Sequence, residues 1–449
     1  MDYEERQRRL EKFKKKRYRW VCYLLSIVFV FVIFGFSIVS LIKPDKKTSE
    51  QENRNLQQFP SMTLTGIKDK TWMDDLEDYT ADQFVLRDAW VSLKTTCDRL
   101  QGKKEFNGNY LGDDGYLMQI PTDPDEKQEA LIEDNVNAMN DFAERYSEVN
   151  TSVLIAPNAV WTLSDKLPSG APVRDQEEDS AWIEGMLSAN INYIDAFTAL
   201  KEHKSEALYY KTDHHWTTLG AKYAYLAAAD ALEIEATDKF DEYVVTADFQ
   251  GTLSSNSGYH GQKDTIEVFA PRDSDVSYLV TDSDDQSKRA TLYDLDALDT
   301  KNKYEVFFGG NHSLVDIVTN SESDKVLVVF KDSYANSFVP FLIPYYSEII
   351  MVDPRYYYDN IDTLMDSHGV TDVLFLYNMD TFLGDNSIAD VLAATADTTE
   401  TTDDAEAVDL EDTDATETDG TSENTVDVND TAATTEGEAA VTTDKAVTE

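Results

Sequence analysis

From Trp20 to Ile42 the chain reads WVCYLLSIVFVFVIFGFSIVSLI, 23 residues without a charge. As a helix rising about 1.5 Å per residue, this run spans roughly 34 Å, enough for a hydrocarbon core of about 30 Å. Nine Lys and Arg residues precede it within residues 1–19, a bias that holds an N-terminus in the cytoplasm. The run is too long for the apolar core of a cleaved signal peptide, and no small-residue cleavage pattern follows it. The expected arrangement is a cytoplasmic basic segment at 1–19, one transmembrane helix at 20–42, and an extracellular ectodomain on that single anchor.

The other end is as unusual. Residues 391–449 consist mainly of Thr, Ala, Asp and Glu, with 18 acidic residues against one lysine, Lys445. So little apolar surface cannot offset the entropy of ordering, and a disordered tail is expected over 386–449. The net charge of −47 divides as +5 in residues 1–19, −17 in 391–449 and −35 between them. An ectodomain that acidic offers no broad basic face, which argues against a nucleic-acid partner. Cys22 lies in the apolar run and Cys97 stands alone outside it, so no intrachain disulfide braces the ectodomain.

Between anchor and tail the pattern changes. Residues 43–105 read as a polar juxtamembrane stretch followed by a helical pattern from Trp72 to Leu100. Asn107–Met118 reads as strand–turn–strand around Asp114-Gly115. Across 106–385, short apolar runs such as Thr151–Val160, Val326–Phe330 and Asp372–Asn378 alternate with helical segments, broken by a polar β-rich insertion at about 234–320. Such alternation predicts a mainly parallel sheet covered on both faces.

Two of the chain's six histidines are adjacent, in YYKTDHHWTTLG (Tyr209–Gly220). Thr217 or Thr218 can cap a helix continuing to Leu232, which leaves Asp213, His214 and His215 on the loop that enters it. An Asp two residues before a His can accept from its Nδ1–H and leave Nε2 free as a base. A matching nucleophile lies at Lys331-Asp332-Ser333, where a buried strand gives way to a helix. There the Ser333 backbone N–H can serve a developing oxyanion. A third strand ends at Asn378, a carboxamide donor for the same sheet edge, and Asn311 in the irregular region is a second donor candidate. Ser333, His215, Asp213 and Asn378 thus outline an acyl-transfer site drawn from three loops. His214 is suited to positioning the loop or touching substrate. Trp216 is suited to packing beneath the loop or offering a sugar platform.

These residues also carry a resemblance. The H-x-x-x-x-G at His215–Gly220 is similar to the one that follows the catalytic His in SGNH hydrolases. Asp332-Ser333 matches the second half of their G-D-S block, and Asn378 resembles their oxyanion Asn. Here the Asp-His block precedes the Ser block. That permuted order, the D-x-H-W motif, ENR…FP at Glu52–Pro60 and G-x-x-G-Y-L at Gly112–Leu117 resemble the DHHW and alginate O-acetyltransferase-like families over roughly residues 50–385. Lys331 departs from the pattern by replacing the Gly of G-D-S.

The resemblance implies an SGNH hydrolase-like three-layer α/β sandwich. It also implies O-acetyl transfer to a cell-surface or exported polysaccharide, with a membrane-bound O-acyltransferase as acyl donor. Neither cofactor nor metal enters that chemistry. If water rather than sugar collects the acyl group, the chain is a carbohydrate esterase. If the site is idle, it is a glycan-binding or scaffolding module of the cell surface. A manganese phosphoesterase of the Asp-His-His type would need an early D-x-D strand end and a second C-terminal domain, and neither is visible.

Overall fold

The computed structural model describes residues 3–393, apart from 50–53, 122 and 273–274. Helix α1 (Tyr3–Ile42) takes the basic segment and the apolar run into one continuous helix, long and apolar enough to cross a membrane.

The expected helix from Trp72 to Leu100 forms as two, α2 (Thr71–Asp82) and α3 (Arg87–Leu100). The break has a polar cause. Asp82 accepts from the Gln57 backbone N–H, and the Gln83 amide donates to the carbonyls of Lys46 and Gln57, which ties this corner to the extended juxtamembrane chain. Leu86 then restarts the helix from a left-handed backbone, φ 59°.

The core is an eight-stranded sheet. Its strands in chain order are β1 (Asn150–Ala156), β2 (Ile191–Tyr193), β5 (Tyr278–Asp282), β6 (Lys288–Arg289), β7 (Leu314–Thr319), β8 (Val326–Lys331), β9 (Glu348–Val352) and β10 (Asp372–Asn378); β3 (Phe240–Phe249) and β4 (Asp264–Pro271) pair as a separate hairpin. The order across the sheet is β6-β5-β7-β9-β8-β10-β1-β2, parallel from β9 to β2 and antiparallel on the β7 side. Runs of apolar residues suit the parallel half because both faces are buried. Val153, Phe330 and Phe375 face one core, while their neighbours Leu154, Val329 and Leu374 face the other.

Helices close both faces. Helix α4 (Glu126–Arg145), started by a capping box between Asp125 and Gln128, packs Ile132, Val136, Met139 and Phe142 on one side. Helix α7 (Thr218–Ala228), later in the chain than α5 (Gln176–Met186) and α6 (Ala196–Glu202), packs Ala221, Ala224 and Tyr225 on the other. The result is the expected three-layer α/β sandwich with a mainly parallel sheet.

Two features add to the sequence reading. Strands β5 to β7, inside the 234–320 insertion, extend the main sheet itself. At the C-terminal end Ile388–Leu392 forms a further helical turn with Ile388 and Leu392 buried, so the packed chain runs past residue 386. The remainder of the expected disordered tail, residues 394–449, lies outside the described residues.

Candidate active site

Parallel strands β1, β8 and β10 end together at Ala156, Lys331 and Asn378. Loops leaving the carboxyl ends of neighbouring parallel strands meet in one crevice, which is where such sheets hold reacting groups. Ser333 follows β8 in a tight turn before α8 (Ala335–Phe338). The turn is pinned by Asp332, fully buried, which accepts from the backbone N–H of Tyr334 at 2.8 Å, the backbone N–H of Asn378 at 2.8 Å and the Asn378 amide at 2.6 Å. Burial pushes the Asp332 carboxyl up, and those donors oppose it.

The Asp-His loop is built like a short hairpin. Tyr209 bridges Trp216 across it, and Thr217 caps α7 by accepting from the Gly220 N–H. A Cβ at Gly220 would stand 2.5 Å from the Leu208 carbonyl oxygen, so the last residue of H-x-x-x-x-G is glycine for close backbone approach. Trp216 is fully buried beneath the loop and donates its indole N–H to the Tyr334 carbonyl and Ser337 Oγ, both at 3.0 Å. It therefore presents no face to a sugar. Its place is structural.

At the loop's tip three side chains line up. His215 Nε2 lies 2.7 Å from Ser333 Oγ, and His215 Nδ1 lies 2.5 Å from Asp213 Oδ1. With the proton on Nδ1 directed to Asp213, Nε2 accepts from the serine hydroxyl. Asp213 is 1% exposed, and its other oxygen accepts from the Thr252 backbone N–H and hydroxyl. Burial alone would raise this carboxyl, but the His214 and His215 imidazoles and these hydrogen bonds hold it far below the usual carboxylate range. It is an anion fixed beside a base.

His214 is set differently. Its Nδ1 lies 2.8 Å from Thr252 Oγ1, and its ring, about a third exposed, tilts against His215 with centroids 3.9 Å apart. Burial, and after it the neighbouring His215, push its pKa down to about 4. The three adjacent side chains could in principle meet around a metal ion. However, both nitrogens of His215 and both oxygens of Asp213 are already engaged within the protein, which leaves a cation little to bind.

The two candidate amide donors are engaged within the protein. The Asn378 amide is spent on Asp332 and on Thr381 Oγ1, because Asn378 doubles as the N-cap of α10 (Met379–Gly384), later in the chain than α9 (Ile361–His368). Asn311 turns its carbonyl oxygen to Lys331 Nζ at 2.9 Å and to the Asn336 amide at 3.1 Å. Lys331 itself is buried, and its ammonium has a pKa lowered to about 8 by burial, with Asp353 3.6 Å away. Among the described residues the Ser333 backbone N–H makes no hydrogen bond, so it remains available to an oxyanion.

Other contributors gave no sequence signal. Tyr304, from the polar insertion, stacks on His215 and donates its hydroxyl to the Ser333 carbonyl at 3.1 Å. Gly251 leaves room for Asp213, since a Cβ there would come within 2.1 Å of Asp213 Oδ2. Both reach the site only through long-range packing.

The sequence pattern of the DHHW protein family matches residues 128–352, just over half of the chain. Among solved structures, a DHHW family protein from Eubacterium siraeum DSM 15702 is similar at 25% identity with a TM-score of 0.55, covering 64% of this chain and 95% of that one. Bacillus cereus PatB1 is similar at 21% identity with a TM-score of 0.51, covering 62% of this chain and 97% of that one. The same PatB1 with a sulfonyl adduct aligns equally well, with 96% of that chain covered. No curated protein matches the sequence.

Proposed function

This chain belongs to the DHHW protein family, and from that premise we propose that it is a serine-dependent O-acyltransferase of the cell envelope. The observation that carries the reading is the unbroken relay Ser333–His215–Asp213, at 2.7 Å and 2.5 Å. Ser333 Oγ attacks an acyl carbonyl while His215 Nε2 takes the hydroxyl proton. The imidazolium formed is stabilised by Asp213. The proton then passes to the leaving group as its bond to the acyl carbon breaks, giving acyl-Ser333. In the second half His215 removes the proton of an acceptor hydroxyl, the acyl group moves to that oxygen, and Ser333 Oγ regains its hydrogen. The Ser333 N–H is the oxyanion donor in both halves.

The apolar helix and its nine preceding basic residues support a single membrane anchor with the N-terminus in the cytoplasm and the catalytic part outside. There the acceptor is a cell-surface or exported polysaccharide, the group transferred is acetyl, and the donor is a membrane-bound O-acyltransferase working beside this chain. An intact relay favours this over an idle glycan-binding module, which has no use for a serine held against a base.

The test is acylation of full-length protein in detergent micelles by p-nitrophenyl acetate. A burst of one equivalent of nitrophenol and an acetyl group on the peptide containing Ser333 are expected. Acetyl capture undiminished in Ser333→Ala would end the reading.

A further inference from the structure

Beside His214 a cavity of about 190 Å³ opens between the loop after β1 and the start of α10. Ligand pockets for drug-sized molecules begin near roughly 300 Å³, so this one has room for a single ring at most. Its lining combines the apolar Met118, Val160 and Leu253 with the polar Asp380, Thr381 and His214.

Asp380 is the anomaly. Its backbone N–H donates to Asn158 Oδ1, but its half-buried carboxylate accepts no hydrogen bond and forms no ion pair among the described residues. Burial is the one influence on its pKa, which it pushes up to about 6. The neighbouring amides do not relieve it: Asn158 donates to Asn378 Oδ1 at 3.0 Å, and Asn378 donates to Asp332. A carboxylate partly withdrawn from water with no donor beside it costs stability, and a donor-rich ligand in the cavity would supply what the protein does not.

We propose that this cavity is the acceptor subsite, in which Asp380 takes hydrogen bonds from ring hydroxyls of a neutral sugar while the apolar lining packs against the ring's C–H face. A carboxylate has no hydrogen to give, so the complementary ligand is one rich in donors. His214 lines the cavity and packs against His215 with centroids 3.9 Å apart, so a ring held there sits beside the base's neighbour and offers a further hydroxyl of the same sugar to the base. The proton of that hydroxyl passes to His215 Nε2, its oxygen bonds to the acyl carbon, and the bond from that carbon to Ser333 Oγ breaks. This inference rests on the acyltransferase reading and adds to it a residue that selects sugar over water or a simple alcohol.

The experiment uses the full chain in detergent micelles with p-nitrophenyl acetate as donor, and compares methyl α-glucopyranoside with 1-propanol as acceptors at equal concentration. Wild type is expected to favour the glycoside by about tenfold or more, the scale of hydrogen bonds to a charged group. Asp380→Ala and Asp380→Asn are expected to remove most of that preference while transfer to propanol persists. Equal use of the two acceptors by wild type would overturn the proposal, as would a preference that survives both substitutions. Absence of any nitrophenol burst is a separate result, and it removes the acyltransferase reading along with this one.

Discussion

The imidazole of His215 lies flat against the phenol ring of Tyr304, with centroids 3.8 Å apart and planes 12° from parallel. The same tyrosine donates its hydroxyl to the carbonyl of Ser333 at 3.1 Å. One side chain thus fixes both the plane of the base and the backbone of the nucleophile. Held in this way, the imidazole has little freedom to rotate away from Ser333, and alignment of this kind supplies a large part of catalytic rate.

Tyr304→Ala should therefore lower the rate of Ser333 acylation on the order of a hundredfold, whereas Tyr304→Phe keeps the stacked ring and should cost only a few-fold. Both are read as nitrophenol burst rates. Equal, near-wild-type rates in the two variants would mean that the stack does not position the base.

Ser333→Ala and His215→Ala should each reduce turnover by about 10³-fold or more, and Asp213→Asn by a comparable factor because the wrong tautomer is then favoured. Combining Ser333→Ala with His215→Ala should cost little beyond either one, as residues acting in one relay are not additive. His214→Ala should retain a substantial part of the acylation rate. A multiplicative double variant would contradict the relay.

Gly251→Ala should behave as a hidden relay variant. Its Cβ would collide with Asp213 Oδ2, 2.1 Å away, and displace the carboxylate that orients His215. Acylation is expected to fall by about tenfold to a hundredfold while circular dichroism stays that of the folded chain. Wild-type acylation in this variant would show that the Asp213 position tolerates movement.

Asp380 gives a pH-dependent stability. Its folded pKa is raised to about 6 from an ordinary 3.8, so the folded state binds the proton more tightly. The contribution to stability is then fully present below about pH 4 and is lost as pH rises through 6. Asp380→Asn should accordingly melt higher than wild type at pH 7.5, by a gain on the order of 1 kcal/mol after allowance for partial exposure, and show no gain near pH 3.5. Thermal melts at the two pH values decide it. A gain that is the same at both, or that grows toward acid, would contradict an unpaired carboxylate.

Trp216→Phe should lower stability by roughly 1–3 kcal/mol, through the loss of a buried indole donor that leaves Ser337 and the Tyr334 carbonyl short of a partner. Denaturant melts measure it. If instead stability is kept and only sugar transfer falls, Trp216 touches substrate after all.

Much of this protein was already legible in the one-dimensional chain, for local reasons. Apolar runs at β1, β8 and β10 marked strands buried on both faces, and an uncharged stretch of bilayer length marked a helix that could span a membrane. Asp213 and His215 sit two residues apart on one loop, so their contact needs little more than a turn. Ser333 announced itself by its place directly after a buried strand. What the sequence could not supply was the partnering of side chains across long separations. Asn378 was expected beside the reacting atoms, but adjacency of β8 and β10 brings it to Asp332, whose buried carboxylate takes its amide before any substrate can. Tyr304 sits in a stretch without periodicity and meets His215, 89 residues earlier, only because the insertion's strands dock on the β9 edge of the sheet. Local spacing decides which residues can turn toward one another. Which buried polar group claims which donor is settled by sheet order, and that is a property of the folded whole.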